Sequence, residues 1–407
     1  MATSKINYVF LGGVFCEAQL NFISENSIGV IQNAADVLQK NMILGFDQNL
    51  SSGIAVINLP FVGSYPRRFR RLYFPSTQET IGVRSNIFGV GFLNVFFFKL
   101  LFRYISALRG LFSLKHSGNT VLFIYSAHLP FLLSALAYRM RRPAVRICLI
   151  IPDLPEYMGS TGFFSSIFKK IDIRLFYYCV KKLDYFVVLT EMMISRLGVD
   201  PKKAVVIEGI ASDKVYSNEN MFDGKSKAIR SFLYTGTLAR RYGITTLIDA
   251  FEQLTDDDIE LWICGEGDSK DYISQAAERD KRIKYFGQIG RDEVVMLQNK
   301  ATILVNPRPP DGEFTKYSFP SKIIEYMASG RPIIMYRLAG IPEDYAPYYI
   351  SPEGVGSDYL AMCMKKTLDM SIEELNSMAE KAQSFVLSKK NATTQTKKIL
   401  DLISKEK

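Results

Sequence analysis

The sequence predicts an α/β protein of two doubly wound, mostly parallel domains facing a central cleft, with a C-terminal helix crossing back to the first domain. Three observations carry this. The 407 residues exceed one ordinary core and fit two domains of common size. Short apolar runs alternate with stretches of helical period along most of the chain, the pattern of successive βα units. The alternation lapses in one polar stretch, Gly209 to Ser226, and then resumes.

In the first half the apolar runs predict strands at Asn7–Leu11, Ala55–Leu59, Val121–Tyr125, Arg146–Ile151 and Tyr185–Leu189, with helices such as Ile31–Leu44 and Leu129–Met140 between them. After the stretch at Val205–Ile207 and the polar linker, further strands are expected at Arg230–Tyr234, Glu260–Cys264, Lys284–Phe286, Thr302–Val305 and Pro332–Tyr336. Helices Ile244–Gln253, Tyr272–Glu278, Arg291–Asn299 and Ser321–Ala328 separate them. The tail, Ile372–Ser388 and Thr393–Lys405, has helical period and no strand partner, and is expected to pack back on the first domain. The implied boundaries are 1–208, a linker at 209–226, a second domain at 227–387 and a terminal helix at 388–407. Open sheets of this kind bind ligands at the C-terminal ends of their strands, so functional residues are sought there.

Composition narrows the function. Residues 1–185 hold 20 Lys and Arg against 9 Asp and Glu, while the rest of the chain is close to neutral. A basic half favours anionic partners, such as a membrane surface or a phosphorylated acceptor. No helix-turn-helix, zinc-finger or RNP-type signature accompanies the charge, which argues against nucleic acid. The five cysteines are scattered without a C-x-x-C pair, as suits a reducing cytoplasm, and no metal site is expected. Asp256-Asp257-Asp258 contains a D-x-D but sits between a helix and a strand, where a solvated turn is the plainer reading. No apolar run is long enough to span a bilayer.

The second half carries the motifs. Tyr234-Thr235-Gly236-Thr237-Leu238 runs from a strand into a glycine turn, followed by Arg240, Arg241 and a helix start at Gly243. Main-chain N–H groups at such a turn, with arginines beside them, suit phosphate. Cys264-Gly265-Glu266-Gly267 and Phe286-Gly287 repeat the strand-then-glycine pattern. The longest motif is Tyr317-Ser318-Phe319-Pro320-Ser321-Lys322-Ile323-Ile324-Glu325-Tyr326-Met327-Ala328-Ser329-Gly330-Arg331-Pro332. Pro320 suits the first helical position, Lys322 and Glu325 share a helix face, and Gly330 ends the helix.

This motif resembles that of retaining glycosyltransferases of the GT-B fold, the large family 4, and within it the bacterial capsular and exopolysaccharide subgroup. The resemblance is strongest over Tyr234–Tyr336. It implies two Rossmann-like domains and a metal-independent transferase, with a nucleoside-diphosphate sugar, UDP-sugars among the choices, as co-substrate and no other cofactor. The acceptor would be a glycan or a polyprenyl-diphosphate-linked glycan, and the setting cytoplasmic, on the inner face of the plasma membrane. Glu325 matches the second Glu of the family's E-x7-E, which holds the nucleotide ribose. Donor binding would also involve Gly236, Thr237, Arg240, Arg241, Gly265, Gly287, Ser318, Phe319, Pro320 and Lys322, with Arg241 neutralising the diphosphate. Two departures stand out: the first Glu of E-x7-E is Tyr317, and the usual arginine and lysine of the phosphate loop are Thr237 and Tyr242.

In the first half the resemblance places Gly12 and Gly13 in an acceptor-side glycine loop, His128 at the active-site histidine, and Asp153 after the fourth strand. Gln32 and Asn33, with Asp36 behind them, begin a helix that would meet acceptor hydroxyls. Each has an alternative: a tight turn for the glycines, a core histidine, a turn-forming aspartate, helix capping. His116 falls in a polar turn and is expected to be solvated. Asn86–Phe112, rich in Phe and Leu with Lys99, Arg103 and Arg109, is either an interfacial helix on an anionic leaflet or a core helix. Rival functions on the same fold are a nucleotide-sugar epimerase or hydrolase and a non-catalytic partner subunit, the latter suggested by Tyr317. A dinucleotide oxidoreductase lacks its G-x-G-x-x-G.

Overall fold

The computed structural model describes residues 6–29, 31–114, 118–157, 163–212 and 230–405. The expected linker from residue 213 onward and His116 lie outside them. The chain divides into two compact units, Met1–Ile210 with Ala392–Lys407, and Ala211–Asn391.

Among its described residues, unit 1 contains strands β1 (Asn7–Gly12), β2 (Ala55–Asn58), β3 (Tyr73–Phe74), β4 (Thr77–Ile81), β5 (Ser85–Gly89), β6 (Phe92–Leu93), β7 (Thr120–Tyr125), β8 (Val145–Ile151), β9 (Tyr185–Val188) and β10 (Ala204–Val206). Its helices include α1 (Leu20–Asn26), α2 (Asn33–Asn49), α3 (Lys99–Ser113), α4 (Leu129–Arg141), α5 (Phe163–Val180) and α6 (Glu191–Leu197). Eight strands form one sheet in the order β10-β9-β8-β7-β1-β2-β5-β4, parallel except for the edge pair β4–β5, while β3 and β6 form a separate antiparallel pair. The central strand β7, Thr-Val-Leu-Phe-Ile-Tyr, is buried at every position. An unbroken apolar run is what a parallel strand covered on both faces requires. β4 is partly exposed and polar, as befits an edge.

Unit 2 has a five-stranded sheet, again parallel, ordered β13-β12-β11-β14-β15: β11 (Arg230–Thr235), β12 (Ile259–Cys264), β13 (Ile283–Gly287), β14 (Ile303–Asn306) and β15 (Ile333–Met335). Helices α7 (Ile244–Phe251), α8 (Lys270–Arg279), α9 (Arg291–Lys300), α10 (Lys322–Ala328), α11 (Ser357–Leu368) and α12 (Ile372–Lys389) flank it, and α13 (Ala392–Ser404) follows. Its core joins the apolar faces of β11, β12, α7 and α11.

The tail departs from expectation in one respect. Only α13 belongs to unit 1, where it packs on α2. Gly45 permits the close approach, because a Cβ there would lie 2.3 Å from the Ala392 carbonyl oxygen. Asn49 Nδ2 then donates to Thr393 O at 2.8 Å and Thr396 Oγ1 at 2.9 Å. The preceding helix α12, opened by a Ser371/Glu374 capping box, stays in unit 2 against α10, where Gln383 Nε2 donates to Ala328 O.

Candidate functional site

At the C-terminal ends of the unit 2 strands, three glycine turns are bound to one another. Gly236 N–H donates to Cys264 O at 3.0 Å, Gly265 N–H to Gly287 O at 2.8 Å, and Leu238 N–H to Glu266 O at 3.0 Å. The turns are so close that a Cβ on Gly265, whose φ is +143°, would sit 1.8 Å from Gly236 O. Helix α10 is anchored beneath them by the buried Tyr326, whose hydroxyl accepts from Thr235 N–H at 2.8 Å and lies 3.2 Å from Thr235 O.

One residue before that anchor, Glu325 is half-buried. Its Oε1 accepts from Gln298 Nε2 at 3.2 Å, and its Oε2 lies 3.2 Å from Lys322 Nζ. Gln298 Nε2 also reaches Thr235 Oγ1 at 3.3 Å, so α9, α10 and β11 are joined through one buried amide. Burial pushes the Cys264 thiol up to about 12, although the Lys322 ammonium opposes this. Cys264 is thus an unreactive thiol, and the charge of Lys322 lies beside the end of β12. Each carboxylate oxygen has two acceptor sites, so Glu325 keeps capacity for further donors.

A second group surrounds Gly243, a residue at φ +79° with no room for a Cβ: one would lie 2.0 Å from Pro307 O. Arg308 leaves the end of β14, is buried, and donates from Nη2 to Ser318 Oγ at 2.6 Å. Its guanidinium lies 4.7 Å from the Phe314 ring centroid and 5.5 Å from that of Tyr242. The sequence reading passed over Arg308; an arginine immediately beyond the Asn306-Pro307 strand end was the available signal. Arg240 and Arg241 are both exposed, the first with its N–H on Asp268 and the second with its guanidinium against Tyr242. Thr237 is also exposed.

The Phe319 ring is buried against Tyr345 at 5.4 Å, so only its main chain remains for a ligand. Pro320 is not the first helical residue. Ser321 is the N-cap of α10, and Pro320 O accepts from Ile323 N–H at 3.0 Å, a tightened opening turn after which the helix starts at Lys322, two residues past Pro320. The structure thus gathers Gly236, Gly265, Gly287, Lys322 and Glu325, and places Ser318 with Arg308 in a neighbouring cluster. The Asp256–Asp258 run is ion-paired rather than simply solvated: Arg230 meets Asp256 and Asp258, and Lys365 meets Asp256.

In unit 1 the loop after β1 is held by side chains. Gly13 N–H donates to Gln39 Oε1 at 2.8 Å, Val14 N–H to Asn58 Oδ1 at 2.7 Å and Phe15 N–H to Asp36 Oδ1 at 2.6 Å. Gly12 and Gly13 are buried, so the loop N–H groups serve the fold. Asp36 anchors that loop, while Gln32 and Asn33 stay exposed at the start of α2, where Gln32 is the N-cap without a side-chain cap bond. Asp153 is exposed just after β8, and its charge reaches the buried Tyr125 phenol.

His128 caps α4 and is half-buried. Its Nε2 lies 3.0 Å from Arg103 Nε. An arginine nitrogen only donates, so His128 Nε2 accepts and the neutral ring carries its proton on Nδ1. Burial, then the charges of Arg103 and Lys99, hold His128 well below the usual histidine range. Arg103 is 1% exposed; its other nitrogens donate to Pro60 O at 2.8 Å and Leu59 O at 2.7 Å. Phe61, Phe92 and Phe131 surround its guanidinium at 5.0 to 5.1 Å. Arg103 therefore is not a surface residue of an interfacial helix. The signal was its place on one helix face with Ala107, Gly110 and Leu111. Lys99, one turn earlier, donates to Val62 O. Phe15, Gln32, Arg68, Lys99, Arg103 and His128 line a cavity of about 490 Å³.

With this geometry in place, residues 229–369 match the family model described as "Glycosyl transferases group 1". The match covers most of unit 2 and about a third of the chain. Among solved structures the chain is similar to Anabaena Alr3699/HepE in complex with UDP, at 12% identity and TM-score 0.65, covering 98% of this chain and 100% of that one. It is also similar to the sucrose-phosphate synthase tll1590 of Thermosynechococcus elongatus, at 14% identity and TM-score 0.66, with 98% and 99% covered. A third is the lipopolysaccharide outer core galactosyltransferase WaaB, at 12% and TM-score 0.61, with 98% and 100% covered. At these identities the likeness establishes the fold: the chain has the GT-B architecture. Among curated protein sequences, none matches the chain.

Proposed function

We propose that this protein is a retaining, metal-independent glycosyltransferase that moves a hexose-type sugar from a nucleoside-diphosphate sugar to a glycan or polyprenyl-diphosphate-linked glycan in bacterial surface polysaccharide synthesis. The observation that carries the reading is Glu325, held by Gln298 and Lys322 at the mouth of three interlocked glycine turns, inside the segment matching group 1 glycosyltransferases. Its spare acceptor sites suit the two hydroxyls of a ribose. Lys322 and the exposed Arg240 and Arg241 supply positive charge for the departing diphosphate, where such a reaction develops most of its negative charge. Uridine is the first base to try, because the similar HepE structure contains UDP.

Unit 1 holds the acceptor in this reading, with Gln32, Asn33, His128 and Asp153 near it. A neutral His128 with its proton on Nδ1 orients a hydroxyl as a hydrogen-bond donor rather than removing its proton. The reaction passes through an oxocarbenium-like state in which the acceptor hydroxyl approaches the face the diphosphate leaves and gives its proton to the departing phosphate oxygen.

The test is nucleotide release from a panel of UDP-, GDP- and dTDP-sugars by the wild type and by Glu325→Ala. Loss of at least tenfold, about 1.4 kcal/mol, is expected for a ribose-binding carboxylate. An unchanged rate would sink the assignment. Sugar release equally fast without any acceptor would favour a hydrolase, and failure to bind any nucleotide a non-catalytic subunit.

Peripheral membrane association is part of the reading. Among the described residues no helix is long and apolar enough to cross a membrane. Yet Phe96, Phe97, Phe98, Leu100 and Leu101 are all exposed at the start of α3, Phe97 by 82%. Arg67 stacks on Phe96 at 4.1 Å, and Arg68, Arg70 and Arg71 are exposed along the same loop. Aromatic groups beside arginines suit an anionic leaflet. The protein is expected to sediment with phosphatidylglycerol vesicles at low salt, and Phe97→Ser/Phe98→Ser to reduce the bound fraction severalfold. Equal sedimentation of wild type and variant would exclude the patch.

A further inference from the structure

The cavity beside His128 presents an electrostatic problem that unit 1 does not solve by itself. Arg103 is enclosed and Lys99 is half-buried one helical turn away, so two like charges share one cavity. Buried charges are ordinarily paired. Among the described residues, however, neither forms an ion pair with a carboxylate, and no Asp or Glu lines the cavity. Arg103 is satisfied by two carbonyls, an imidazole and three aromatic faces, all without formal charge. Lys99 bonds only the Val62 carbonyl among the described contacts, which leaves ammonium protons for another partner. Arg68 adds a third cation at the cavity wall.

We propose that this cavity binds a phosphoryl group carried by the acceptor, with Lys99 and Arg68 as its direct ligands and Arg103 as the buried charge behind them. The proposal rests on unit 1 being the acceptor side, as set out above. An anion of more than one charge suits a cavity lined by Arg68, Lys99 and Arg103 and by no carboxylate. Arg103 already donates from Nε, Nη1 and Nη2 to groups of the fold, so it acts as a positioning residue. It fixes the Leu59–Pro60 turn and the His128 tautomer while contributing its field.

Lys99 gives the site a measurable signature. Burial, helped by the Arg103 charge, lowers its ammonium to about 7, so at neutral pH it is only part-charged. The other charged or titratable groups lining the cavity are Arg68, Arg103 and His128. His128 is already neutral, and although burial pulls the Arg103 guanidinium down, a delocalised guanidinium keeps its proton inside proteins, so the change over pH 7.5 to 9 belongs to Lys99. A phosphate monoester is fully dianionic over that interval. Its affinity should therefore fall as pH rises, following the loss of the Lys99 proton.

The experiment is calorimetric titration of the full chain with inorganic phosphate and, separately, with octyl phosphate below its micellar concentration, using octyl glucoside as the uncharged control. Saturable binding of at least one phosphate is expected, weakening severalfold between pH 7.5 and 9. Lys99→Met should lose tenfold or more, and Arg68→Ala a smaller factor. Lys99→Arg should keep binding but lose the pH dependence, an effect that a purely structural role for Lys99 would not produce. Similar affinity for both phosphates identifies a water-soluble phosphorylated acceptor; much tighter octyl phosphate identifies a lipid phosphate beside the exposed Phe96–Phe98 patch. The proposal is overturned if neither phosphate saturates, if octyl glucoside binds as well as octyl phosphate, or if Lys99→Met binds like the wild type. Phosphate binding without any nucleotide-sugar turnover would overturn the transferase reading and leave this site standing. Turnover without phosphate binding would do the reverse.

Discussion

Both units end parallel strands in glycine turns, but they use the glycines oppositely. In unit 1 the loop after β1 gives its N–H groups to Gln39, Asn58 and Asp36, so the loop is finished by the fold. In unit 2 the turns after β11, β12 and β13 bond to one another through main chain, and the side chains beside them, Lys322 and Glu325, keep capacity for a ligand. The charges differ in the opposite sense. Lys322 has a carboxylate 3.2 Å away, whereas Lys99 and Arg103 have none lining their cavity. A glycine after a strand thus marks a place where backbones crowd; whether it also marks a ligand depends on what satisfies the nearby N–H groups.

The largest expected effect tests that contrast directly. Gly265→Ala would put a methyl 1.8 Å from a main-chain oxygen at a φ of +143° that disfavours alanine. A backbone oxygen tied into the turn stack cannot retreat cheaply, and roughly 3 kcal/mol or more of stability should be lost. For Gly12→Ala the nearest atoms are side-chain atoms, Gln39 Oε1 and the Phe10 ring, both at 2.5 Å. Repacking these should cost less, about 1 to 3 kcal/mol. Urea denaturation of the two variants checks the order; an equal or reversed order would break the distinction between the loops.

The comparison also explains what the sequence could disclose. Strand positions were legible because a parallel strand covered on both faces must be almost wholly apolar, as in β7 and β14. Lys322 and Glu325 were legible as a pair because helical spacing alone puts them on one face. Gln298 was not: it lies inside α9, and only the sheet order brings that helix to Thr235 and Glu325. Arg103 was left between two readings for a related reason. Within α3, Arg109 is exposed and Arg103 enclosed, yet both are basic residues in an apolar helix. Residue type suggests the same surface location for both, and only the partners, two carbonyls and an imidazole, reverse it for one. The tail was half legible. Its two helices have similar period, but the glycine that admits α13 lies far away in sequence, on α2.

A smaller effect sharpens the contrast between a paired and an unpaired lysine. Lys99 is held at about 7 in the folded protein, against an ordinary value near 10.4 when unfolded. Below pH 7 it is charged in both states, and folding bears the full cost of enclosing the charge. Between about 7 and 10.4 the unfolded chain binds the extra proton, so this residue makes stability rise with pH. Above that interval the lysine is neutral in both states and the cost is gone. Lys99→Met removes the charge at every pH. Its stability relative to the wild type should thus be most favourable at pH 6 to 7 and decline steadily toward pH 10. Thermal melts of the two proteins at matched pH values measure the difference. A wild-type-minus-variant gap for Lys99→Met that stays constant from pH 6 to 10 would mean that the Lys99 charge is compensated in the folded chain, and the two units would then treat their lysines alike.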